Sequence, residues 1–157
     1  MGNLPEEFNQ NCGEILRWTI HLETTLEIFI CDYFEIIGSD RKKLFRDLVI
    51  YKMSFERKFQ IFKKICKEER IPPERINKIS INFKFIQEIR NKVAHGQALW
   101  DIDNKMKVYK KSSIIEEIDY TEINSALVKE IEEKVTLALK EINNINNELY
   151  NKFNNLD

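Results

Sequence analysis

The chain has 157 residues, 43% hydrophobic and 11% aromatic, which suits one domain with its own core rather than two. Its 25 basic residues nearly cancel 26 acidic ones, for a net charge of -1, so a polyanionic partner must be met by a local basic patch and not by the overall field. A run of about 18 apolar residues and a basic-then-apolar leader are both missing, which argues against a membrane partner and for a cytoplasmic protein.

Spacing of apolar residues by three and four predicts a first helix from about Phe8 to Ile37, through Ile15, Trp18, Leu22, Leu26, Phe29 and Tyr33. Gly38-Ser39-Asp40 stops it. A shorter helix carries Leu44, Phe45, Leu48 and Val49, and Ser54 is placed to cap a third helix marked by Phe55, Phe59, Phe62 and Cys66. Pro72-Pro73 breaks the chain and suits the start of a fourth helix, with Ile76, Ile79, Phe83, Ile86 and Val93 on its apolar side. Each of these stripes reads as core. Next, Lys105 to Lys110 alternates in polarity, and Ile114 to Ile118 is a second β-prone run across Lys111-Ser112-Ser113, predicting a small hairpin. Asp119 and Glu122 form a capping box for a last long helix through Ile123, Leu127, Ile131, Val135, Leu139, Ile142, Ile145 and Leu149. The expected fold is all-α: an up-and-down bundle of about five helices, with a β-hairpin before the last, as a single domain over residues 1–157. Cys12, Cys31 and Cys66 are odd in number and lack a Cys-x-x-Cys pair, so they read as reduced thiols. Two histidines are few for a metal centre, and no metal or cofactor is expected.

The residues able to do acid–base and phosphate chemistry converge in Arg90-Asn91-Lys92-Val93-Ala94-His95, followed by Gly96. At about 100° per residue, Ile79, Phe83, Ile86, Ile89 and Val93 form an apolar arc, and Arg90 falls inside it. A cation there needs a partner or a cleft. Glu23 and Glu27 are candidate ion-pair partners. Asn91 and His95 lie four apart on a polar strip, so the amide is placed to orient the imidazole. Arg90 and His95 are about 140° apart on a regular helix, and they converge only if the helix ends close by or a second subunit brings its own copy. Gly96 suits a left-handed C-cap, and His95 can serve simply as a residue of the capping turn. His21, beside the apolar stripe of the first helix, reads as a partly buried, hydrogen-bonded histidine.

Arg-Asn-x-x-x-His late in a helical bundle resembles the motif of the HEPN (higher eukaryotes and prokaryotes nucleotide-binding) superfamily: an arginine, an adjacent polar residue, and four to six intervening residues before a histidine. Arg90, Asn91 and His95 match it with four intervening residues, and Ile-Arg-Asn-Lys-Val-Ala-His-Gly resembles members with small residues around the histidine. The resemblance spans most of the chain in architecture and about eight residues in sequence. It implies a HEPN-like domain acting as a metal-independent endoribonuclease, as in toxin–antitoxin systems and phage defence, working as a homodimer whose two motifs share one RNA cleft. His95 would be the general base on a ribose 2′-hydroxyl or the acid on the leaving oxygen. Arg90 would hold the scissile phosphate, and Asn91 would position His95 or the phosphate. The products would carry 2′,3′-cyclic phosphate and 5′-hydroxyl ends, which restricts the substrate to RNA.

A subgroup paired with nucleotidyltransferase antitoxins has tyrosine two residues after the histidine. This chain has Gln97 there, so that mode of control is not expected, although an antitoxin or regulatory protein remains a candidate partner. Lys84, Lys92, Gln97 and Trp100 are candidate substrate contacts. Lys84 and Lys92, with Lys105, Lys107, Lys110 and Lys111, would supply the basic rim. Trp100 offers either a stacking surface or a core side chain. The alternative function is a non-catalytic module on the same fold that binds RNA, nucleotide or protein and dimerises.

Overall fold

Apolar residues recurring every three or four positions bury one side of most of the helices. The structure, a computed structural model, describes residues 6–34, 39–100, 105–109 and 120–154. Among these are five α-helices: α1 (Glu6–Tyr33), α2 (Ser39–Leu48), α3 (Phe55–Glu68), α4 (Pro73–His95) and α5 (Ser125–Asn154). A single 3-10 turn, Ile50–Lys52, follows α2. A small antiparallel sheet of β1 (Gln97–Trp100), β2 (Met106–Tyr109) and β3 (Tyr120–Glu122) is arranged in the order β1-β2-β3. The fold is thus an all-α bundle with a small β element. No described helix is long and apolar enough to cross a membrane.

Local chemistry sets the helix ends. Ser54 Oγ accepts from the Arg57 N–H at 3.2 Å, capping α3 as expected, and Pro73 opens α4. At the far end of α3 the Ile71 N–H reaches the Cys66 carbonyl (2.9 Å) and the Arg70 N–H reaches that of Lys67 (3.2 Å). This is a Schellman closure. Its left-handed position is held by Arg70, at φ 59°, where glycine would be at ease.

The β element departs from the sequence reading. β2 lies inside the predicted first strand, but it is paired with β1 and β3, neither of which was anticipated. The predicted partner strand, Ile114 to Ile118, and its turn lie outside the described residues. The predicted capping box is overturned at Glu122, which belongs to β3. The cap of α5 is Asn124, whose Oδ1 accepts from the Leu127 N–H at 2.9 Å. Asparagine and aspartate cap equally well, so where the sheet ends decides which one serves.

The chain divides into two compact units. Unit one comprises Met1–Ile20 and Asn82–Val135, and it contains the sheet and the second half of α4. Its buried side chains include Ile15, Phe83, Ile86, Val108, Ile131 and Val135. Unit two comprises His21–Ile81 and Thr136–Asp157. Its core is aromatic: Phe29 meets Phe62 edge to face (centroids 4.9 Å apart) and Phe62 stacks on Phe59 (5.9 Å). Each such side chain, fully buried, contributes roughly 1.5–3 kcal/mol. Cys66 is buried there as well, and burial pushes its thiol up to about 12. The α2 stripe was expected to be core, yet Leu44 and Leu48 are 58% and 55% exposed.

Candidate functional site

The end of α4 builds a small polar constellation in unit one. Arg90 is half-buried, and its Nη1 donates to Asn91 Oδ1 at 3.0 Å. The same Nη1 stands 3.5 Å from His95 Nε2. The two residues are far apart in helical projection, but His95 is the last residue of α4 and is exposed, so its ring is free to swing toward Arg90. A guanidinium has only donors, so this contact is a hydrogen bond only where the ring nitrogen facing it carries no proton. At 3.5 Å this is a contact at the limit of hydrogen bonding. Asn91 was expected to orient His95; its observed hydrogen bond goes to Arg90 instead.

Gly96 secures the geometry from below. Its N–H closes the last helical turn on the Lys92 carbonyl at 2.8 Å. A Cβ at this position would stand 2.2 Å from that oxygen and 2.8 Å from the Tyr109 carbonyl. The glycine is therefore needed for close approach of helix and strand, and not for the left-handed backbone expected from the sequence, since its φ lies outside that region.

The candidate substrate contacts are dispersed. Lys84 is exposed on α4. Lys92 is buried, 6% exposed, with Nζ on Thr121 Oγ1 at 2.9 Å and on Glu88 Oε1 at 3.1 Å. It ties α4 to β3 and does not join a solvent-facing rim. Gln97 is exposed, opposite Tyr109 in register, and its Oε1 accepts from the Tyr109 hydroxyl at 2.6 Å. Trp100 ends β1, in register with Met106. Of the remaining rim residues, Lys105 pairs with Glu122 at 3.4 Å, Lys107 is half-buried in β2, and Lys110 and Lys111 lie outside the described residues.

Sequence reasoning missed Tyr109, Thr121 and Lys58. The first two depend on strand pairing between residues far apart in the chain. Lys58 had a local signal. It projects between Phe62 and Ile65 on α3, the same circumstance that singled out Arg90 on α4. It is buried, and Nζ reaches Glu23 at 2.5 Å and Glu27 at 2.6 Å. Burial presses its pKa down, and the hydrogen bonds it donates to the two carboxylates more than reverse this, so it stays charged. These are the carboxylates that the sequence offered to Arg90. His21 is exposed, not partly buried.

Among the described residues, no three His, Cys, Asp or Glu side chains cluster as metal ligands. Comparison with protein-family models, with curated proteins and with solved structures finds no match to this chain.

Proposed function

We propose that this chain is a HEPN-like, metal-independent endoribonuclease acting as a toxin or anti-phage effector in the cytoplasm, with Arg90, Asn91 and His95 as its site. The observation that carries the reading is the placement of Arg90 Nη1 3.5 Å from Nε2 of an exposed histidine. A phosphodiester seated on the guanidinium puts its neighbouring ribose 2′-hydroxyl within reach of that imidazole. His95 takes the hydroxyl proton as the 2′-oxygen bonds to phosphorus. The bond to the 5′-oxygen breaks, and that oxygen takes up a proton from water or from a second imidazole. Arg90 holds the non-bridging oxygens as charge grows on them, and Asn91 fixes the guanidinium. The ends left are a 2′,3′-cyclic phosphate and a 5′-hydroxyl. A homodimer would place two such motifs in one cleft, with an antitoxin or regulatory protein as a further partner.

A second reading, a non-catalytic RNA- or protein-binding module, is favoured by the depleted basic rim, since Lys92 is buried and Lys105 is paired. RNA digestion in EDTA with end-group analysis separates the two. The ribonuclease reading expects cyclic-phosphate ends that His95→Ala reduces about 100-fold or more, with the fold intact. Equal cleavage by the variant, or binding without cleavage, overturns it.

A further inference from the structure

Unit two carries an apolar surface that the site at the end of α4 does not use. An aromatic row runs across it: Tyr33 meets Phe153 at 6.1 Å and Phe34 at 5.3 Å, and Phe34 meets Phe45 of α2 at 6.4 Å. Phe34 is 52% exposed and Phe153 40%. Beside Tyr33 and Phe153 opens a cavity of about 260 Å³, whose walls include Asp32, Asn146 and Leu149. On α2, which carries Phe45, Leu44 and Leu48 are one turn apart and more than half exposed. Large exposed aliphatic and aromatic side chains gathered in this way mark a surface that is covered by something.

Charge says what covers it. From Arg41 to Lys52 the chain carries five basic residues (Arg41, Lys42, Lys43, Arg46 and Lys52) against one acid, Asp47. Lys42 is taken up by Asp32 at 2.7 Å, and Arg46 lies 5.4 Å over the Tyr51 ring. Arg41 and Lys43 are exposed; in helical projection Arg41 stands beside Leu48, while Asp47 falls between Lys43 and Leu44. We infer that this face docks an acidic amphipathic helix of a partner protein, with apolar anchors spaced by three and four seated on Leu44, Leu48 and the cavity, and carboxylates against Arg41 and Lys43. Single-stranded RNA fits less well. The rings meet one another edge to face or tilted, at 83°, 62° and 59°, instead of presenting parallel faces for bases.

The inference is independent of the ribonuclease reading, because its test reads binding alone. A displayed library of random peptides about four helical turns long is panned against the immobilised full-length chain. Enrichment is expected of acidic peptides with Leu or Phe at helical spacing. Leu48→Asp and the pair Arg41→Glu/Lys43→Glu should each weaken their binding about tenfold or more. A lysine-flanked version of the best peptide should regain affinity for the charge-reversed pair. Circular dichroism checks the folding of these surface variants. Three results overturn the proposal: no enrichment; enriched peptides indifferent to the substitutions; or oligouridylate or phosphatidylserine vesicles bound through the same residues in place of peptide.

Discussion

Lys58 on α3 and Arg90 on α4 both project into apolar arcs, yet they are held in opposite ways. Lys58 is 2% exposed and clamped by two carboxylates at 2.5 and 2.6 Å, so its charge is fully answered inside unit two. Arg90 is half-buried in unit one, and its Nη1 meets a neutral amide and an imidazole at the contact limit. A cation enclosed by carboxylates has no capacity left for a ligand. A cation with no carboxylate partner among the described residues keeps the attraction for an anion that a phosphate-binding site requires. Position within an apolar stripe identifies a costly cation. The partners then tell a structural cation from one open to chemistry.

The largest effect on stability should come from the closed case. Lys58→Ala leaves Glu23 and Glu27 facing each other without a counter-ion, and urea unfolding should show a loss of about 3–5 kcal/mol. Replacing all three with well-packed apolar residues should recover most of it. A single Lys58→Ala variant within about 1 kcal/mol of wild type would break the contrast.

Next comes the scaffold of the open case. Gly96→Ala drives a Cβ onto two backbone carbonyls that cannot step aside, so it should cost about 1–3 kcal/mol. It should also disturb the Arg90–His95 approach, because residue 96 joins α4 to β1. Thermal melts of Gly96→Ala that match wild type would contradict this packing.

A third ion cluster is intermediate in exposure and has the smallest expected effect. Glu69 accepts from Lys152 and from the Tyr33 hydroxyl, and these hydrogen bonds hold its carboxyl below the ordinary value of 4.5. Arg75 does the same for Glu148. A carboxylate with a lowered folded-state value adds stability above its unfolded value, and this is lost as the pH falls through the folded one. Urea midpoints should therefore decline from about pH 5 downward, and Glu69→Gln should flatten that decline. Tyr33 gives the opposite arm. Its hydrogen bond to Glu69 pushes the phenol up to about 12, so its contribution is present below 10 and fades as the pH rises toward about 12. An acid limb unchanged in Glu69→Gln would remove this cluster from the comparison.

Much of this was legible in the sequence. The stripes of α1, α3, α4 and α5 locate those helices, and Ser54 and Pro73 fix two starts, because capping and proline chemistry act within a few residues. The same spacing on α2 located a helix but misjudged its surroundings. Periodicity defines a face, and whether anything covers Leu44 and Leu48 is decided elsewhere in the chain. β1 and β3 are four and three residues long and exist through pairing with β2, which no local pattern encodes. The grouping of Arg90, Asn91 and His95 was legible, whereas its internal wiring was not. Asn91 turns to Arg90, and Lys92 is drawn into unit one by Thr121, a residue 29 positions away.

The contrast between the two cations is tested most directly by one variant measured twice. Arg90→Ala should unfold in urea within about 1 kcal/mol of wild type and cleave RNA about 100-fold more slowly or worse. Destabilisation by several kcal/mol with cleavage retained would show that Arg90, like Lys58, is held for stability, and would contradict its assignment to the site.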